Sequence, residues 1–109
     1  MKVLVDIMAG LERISILADD TENRFKVNGK DVNFDIDRFI FRTCDITMNW
    51  PEKLINQDII DGNKVKVIIK NDTAIKEMKF INKLPKNYHK FQALIDEVLD
   101  VEKRLSRNS

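Results

Sequence analysis

The sequence predicts an α+β domain, an antiparallel sheet of six or seven strands closed by one amphipathic C-terminal helix. Three observations carry this expectation. Apolar and polar residues alternate over several short segments between Lys2 and Ile81, the period of a strand with one wet face. Between two of those segments stands Asn28-Gly29, a pair that tolerates the positive φ of a tight hairpin turn. From Phe91 onward the spacing changes to three and four, through Leu94, Ile95, Val98, Val101 and Leu105, one stripe of a helix. A chain of 109 residues is expected to be one domain, 1–109, mostly β over 1–81 with a short helix at 51–56 and the closing helix at 86–105.

Each element follows from its local pattern. Val3, Val5 and Ile7 share one face of a first strand, with Ala9-Gly10 as the turn after it. Ile14, Ile16 and Ala18 share a face of the second, and Asp19 to Asn23 reads as a polar loop. Arg24–Val27 and Lys30–Asp37 flank the Asn-Gly turn, so that Phe25 and Val27 share a face with Val32, Phe34 and Ile36. Arg38 to Ile46, with Phe39 and Phe41, is expected to continue as a strand. Pro51 suits the first turn of a short helix over Glu52–Asn56, capped by Thr47 or Asn49. Asp61-Gly62-Asn63 is a turn before a strand at Lys64–Lys70, which pairs with Ala74–Ile81 across Asp72-Thr73. The register setting Val65, Val67 and Ile69 opposite Phe80, Met78 and Lys76 makes one face almost wholly apolar. Pro85 or Asn87 starts the helix, and Ser106–Ser109 is expected to fray.

About seven strands followed by one helix resembles the element order of pleckstrin-homology-type domains. That resemblance implies a curled or two-layered sheet and no particular function. The alternative is a single open sheet with the helix packed across one face.

Composition bounds what such a domain does. Net charge is +1, but residues 1–50 carry seven Lys/Arg against nine Asp/Glu, and 51–109 carry twelve against nine. The excess concentrates in Asn63–Lys90, where eight lysines face only Asp72 and Glu77. The lone Cys44 excludes an internal disulfide and argues against structural zinc. No apolar run approaches the ~18 residues of a membrane span, and the start lacks the pattern of a signal peptide. A cytoplasmic location is the expectation that follows.

The chemistry-bearing residues form no catalytic pattern. Asp31, Asn33, Asp35 and Asp37 place oxygens at alternate positions as a calcium loop does, but Ile36 and Arg42 stand where such a loop needs Gly and Glu. Alternate carboxylates on the wet face of a strand explain them better. His89 is the only histidine and is read as a surface residue near a helix start. Cys44 shares parity with Ile40 and Ile46, as a small buried side chain would. Gly10, Gly29 and Gly62 are isolated, so no phosphate-cradling loop is present. No catalytic, cofactor or metal site is expected, and the chain is not expected to be an enzyme.

What is left is binding. The register that hides the apolar face sets Lys64, Lys66 and Lys70 outward with Lys79 directly across from Lys66, a like-charge pair that costs stability. These four lysines, with Trp50 if it is exposed, are the expected partner-binding residues. The expected function is a non-enzymatic protein-interaction module docking an acidic protein surface, of the size of a small inhibitor or immunity-type protein of a mobile element or toxin system. The second expectation is a binder of nucleic acid or nucleoprotein through the same lysines together with Lys83, Lys86 and Lys90, although the absence of interleaved aromatics argues against base stacking. A small enzyme or metal binder using His89 and the Asp31–Asp37 carboxylates ranks last.

Overall fold

A computed structural model describes residues 1–56 and 62–107, and the backbone alone for 105–107. Seven strands form one sheet: β1 (Lys2–Ala9), β2 (Glu12–Asp19), β3 (Arg24–Val27), β4 (Lys30–Asp31), β5 (Lys53–Ile55), β6 (Lys64–Lys70) and β7 (Ile75–Ile81). Their order across the sheet is β4-β3-β2-β1-β6-β7-β5, and every pair is antiparallel except β5 with β7. Helices α1 (Ile36–Thr47) and α2 (Tyr88–Arg107) pack on one side of it.

The sheet does not close, so the single open sheet is the arrangement found. The shortest dimension of the molecule, 20 Å, fits one sheet and one layer of helices at ~10 Å each. Two features depart from the pleckstrin-type order: a helix inserted after β4, and a parallel strand at the far edge.

The core lies between sheet and helices. Val3, Val5 and Ile7 of β1 align with Ala18, Ile16 and Ile14 of β2 and with Ile69, Val67 and Val65 of β6. Val65 and Val67 in turn face Phe80 and Met78, as the pattern of apolar residues requires. Against this face α2 buries Phe91, Leu94, Ile95 and Val98. Leu105, last residue of the expected stripe, lies outside the described side chains, and Asp61 of the expected turn and Asn108–Ser109 of the expected frayed tail lie outside the described residues. The Asn28-Gly29 turn has positive φ at both residues, 51° and 81°, as a type I′ turn demands.

Three local expectations are corrected. Residues 38–46 are helical. Asp35 accepts a hydrogen bond from the Arg38 amide at 3.0 Å and caps α1, which then buries Phe39, Ile40, Thr43, Ile46 and Thr47 at helical spacing. Phe41, which an alternating strand would pair with Phe39, is 70% exposed. Cys44 accordingly sits on α1, half-buried, with its Sγ 3.8 Å from the Met1 Sδ.

Residues 53–55 are a strand rather than a helical turn. Lys79 donates its amide to the Glu52 carbonyl at 2.8 Å and Asn56 donates to Ile81 at 2.9 Å, so pairing with β7 satisfies backbone groups a one-turn helix would leave open. The second arm of the Asn-Gly hairpin is also short. Pairing stops at Asp31, after which Phe34 folds over Phe25 with ring centroids 5.2 Å apart, and Phe39 meets Phe25 edge-on at 5.1 Å. That aromatic cluster fastens α1 to β3, each pair contributing ~1 kcal/mol.

Candidate interaction surface

With both helices on one side, the second face of the sheet is covered by no other described element. Its composition is set by strand parity: every residue between two core positions points outward. One row across the strands reads Lys26, Leu17, Leu4, Ile68, Glu77, with three aliphatic side chains at its centre. The neighbouring row reads Ser15, Asp6, Lys66, Lys79, Lys53, with lysines on three adjacent strands. Met8 and Lys64 follow on the other side. Leu4 and Met8 are 37% and 41% exposed, an unusual position for apolar side chains in a sheet centre.

The acids of this face are mostly engaged by its own bases. Arg13 grips Asp6 through two bonds of 3.1 and 3.0 Å, and the Lys66 Nζ reaches Glu77 Oε1 at 3.2 Å on the diagonal. Lys53, Lys64, Lys70 and Lys79 make no ion pair among the described residues. All four are exposed.

The other expected residues go elsewhere. Trp50 is buried, 7% exposed, stacked on Tyr88 and edge-on to Phe80 and Phe91, with its indole N–H donated to the Lys86 carbonyl at 2.9 Å. It belongs to the helix side of the molecule. Lys83, Lys86 and Lys90 are there too, around a cavity of about 550 Å³ that Trp50 also lines. The seven lysines therefore form two separate groups, four on the sheet and three beside Trp50. Lys76, on the core side, is half-buried and caps the C-terminal end of α1 through the Thr47 carbonyl at 3.2 Å.

The acidic run disperses as well. Asp35 caps α1, Asp31 lies 3.9 Å from Lys26, and Asp37 is exposed in the first turn of α1. No group of three or more His, Cys, Asp or Glu among the described residues could hold a metal ion. His89 is exposed in the first turn of α2. Burial raises the Cys44 thiol and the Tyr88 phenol above their ordinary pKa values. Among the described residues no helix is long and apolar enough to cross a membrane.

Sequence reasoning missed two contributors to this face. Lys53 reaches the basic row only because β5 joins the sheet in parallel, which three residues cannot signal. Leu4, Leu17 and Ile68 did leave a trace, as apolar residues at the wet positions of otherwise alternating strands. In comparisons with known proteins the chain matches no family model, no curated protein and no solved structure.

Proposed function

We propose that this chain is a non-enzymatic protein-binding module whose uncovered sheet face docks an acidic partner surface. The observation that carries the reading is the juxtaposition of the Leu17–Leu4–Ile68 stripe with the Lys66–Lys79–Lys53 row on one face. An aliphatic centre supplies desolvation energy, and a charged border supplies orientation and association rate. Four strands of seven or eight residues, flanked by the shorter β3, β4 and β5, span on the order of 600 Å² before side-chain relief is counted, near the ~800 Å² per partner of a standard interface. The excess of lysine disfavours pairing of two copies face to face. Stoichiometric occlusion of a partner, the mode of small inhibitors and immunity-type proteins, is the activity this reading implies.

The test is purification of the tagged chain with its partner from its native cells, and then measurement of the isolated pair. Lys66→Glu with Lys79→Glu should abolish the complex while leaving the melting temperature nearly unchanged, and raised salt should slow association. A double variant that holds its partner with unchanged affinity would overturn the reading. Nucleic acid is the other partner of interest. Division of the lysines between two surfaces separates Lys83, Lys86 and Lys90 from the sheet lysines, and Ile68, Leu4 and Leu17 beside the latter offer phosphates nothing. Retardation of an oligonucleotide that is released steeply by salt would favour that partner instead.

A further inference from the structure

The cavity beside Trp50 lies on the helix side, away from the proposed docking face, and its walls differ in chemistry. The floor is apolar: Ile46 and Trp50 from the end of α1 and the turn after it, Leu54 from β5, and the buried Pro85. At the α1 wall stand Asp45 and Asn49. Lys83 and Lys86, from the segment that leads into α2, and Lys90, from its first turn, also line the cavity, all exposed and without an ion pair among the described residues. Among the described residues, three ammonium groups against one carboxylate leave the rim basic.

This rim is built rather than loose. Trp50 lines the cavity, and its indole N–H is donated to the Lys86 carbonyl at 2.9 Å, so its polar atom is spent on the scaffold. Pro85 is buried, its carbonyl accepts from the Tyr88 amide at 3.3 Å, and Asn87 takes a left-handed φ of 65° that asparagine tolerates. The amides of Tyr88 and Lys90 are already donated to Pro85 and Asn87, which leaves the three lysines as the main groups for recognition of an anion. At about 550 Å³ the space is within the ~300–1,000 Å³ usual for small-molecule sites, which likewise combine an apolar lining with a few placed charges.

We propose that this cavity binds a small organic anion with an apolar body, ring or short chain against Trp50 and Leu54, its phosphate, sulfonate or carboxylate between Lys83, Lys86 and Lys90. Asp45 sets the orientation by repelling the anion from the α1 wall.

The probe is 2-naphthyl phosphate, with 2-naphthol and inorganic phosphate as its separated halves, titrated into isotopically labelled protein and followed by NMR. Trp50 is the only tryptophan, so its indole N–H resonance reports this cavity alone. The expected result is a saturable shift of that resonance and of the 83–90 amides, with 2-naphthyl phosphate binding about tenfold or more tighter than either half. Replacing the three exposed lysines together, Lys83→Glu, Lys86→Glu and Lys90→Glu, should weaken binding by about tenfold or more, and Asp45→Asn should strengthen it a few-fold. Lys66→Glu with Lys79→Glu, altered on the opposite face, should bind as the parent does. The proposal is overturned if no saturable shift develops at millimolar probe, if shifts map to the outer strand face, if inorganic phosphate binds as well as the naphthyl ester, or if the triple variant binds unchanged.

Discussion

Lys66 and Lys79 stand directly opposite one another in the β6–β7 ladder, and Lys53 stands beside Lys79 on its other flank. Three like charges on adjacent strands at ~5 Å spacing oppose folding, and among the described residues only Lys66 finds relief, in Glu77. A face that serves stability alone would alternate its charges here. The cost is therefore informative about use, and it can be measured.

Lys79→Glu puts a carboxylate between two lysines. Its expected effect is a gain of about 0.5 kcal/mol. For a chain of this size that corresponds to a melting temperature ~2–4 °C higher at low ionic strength. Much of the gain should vanish in high salt, because the side chains are exposed. Thermal melts at two salt concentrations decide it. A lower melting temperature would show that the row is not strained.

Thr43 is wholly buried on α1, and its hydroxyl has no hydrogen-bond partner among the described residues. Thr43→Val preserves the shape and removes the orphaned group. It should stabilise the fold by about 1 kcal/mol, seen as a higher urea midpoint with an unchanged slope.

Trp50 holds the junction of α1, β7 and α2 through ring contacts to Phe80, Tyr88 and Phe91. Trp50→Ala should cost ~3–5 kcal/mol, enough to threaten folding. Trp50→Phe keeps most ring contact but abandons the Lys86 carbonyl, and should cost about 1–2 kcal/mol in urea unfolding. Equal losses for the two variants would argue against a distinct role for the indole N–H.

The alkaline limit of stability is set partly by Tyr88 and Cys44. Burial raises the Tyr88 phenol above its ordinary 10.0, with Asp96 adding to it, and burial raises the Cys44 thiol above 9.0 against a smaller opposing pull from Lys76. Both groups are neutral when protonated, and the fold favours that form. Their contribution is complete below the ordinary values and is lost as pH climbs from those values through the raised folded ones. Melting temperature should fall above pH 9.0 and more steeply above pH 10.0, with Cys44→Ala blunting the first step and Tyr88→Phe the second. Tyr88 is the sole tyrosine, so phenolate absorbance follows it directly.

The sequence by itself determined the strands whose partners lie near in the chain. The β6–β7 register, with Lys66 across from Lys79, follows from one rule, that a slip by a single residue would turn Val65, Val67, Met78 and Phe80 out to water. Asn28-Gly29 determined its turn, and the Phe91–Val98 spacing determined the buried side of α2. Residues 36–47 carried both periods: Phe39 and Phe41 suit a strand, while Ile36, Phe39, Ile40 and Thr43 suit a helix. The capping role of Asp35 was hidden in a run of alternating carboxylates. Burial of Phe39 against Phe25 and Phe34 settled the matter, a contact between segments that local pattern does not see.

Only the tertiary structure decided which lysines stand together. Lys53 joins Lys79 because the chain after α1 adds β5 at the far edge of the sheet, and Lys83, Lys86 and Lys90 leave that face because β7 ends at Ile81 and α2 packs on the other side. Among the described elements none covers the opposite sheet face, since both helices take their apolar contacts from the Val3–Val67–Phe80 side. Parity along a strand is a local property and can be read from the order of residues. Which face a helix covers depends on where distant segments return, and that is a property of the fold.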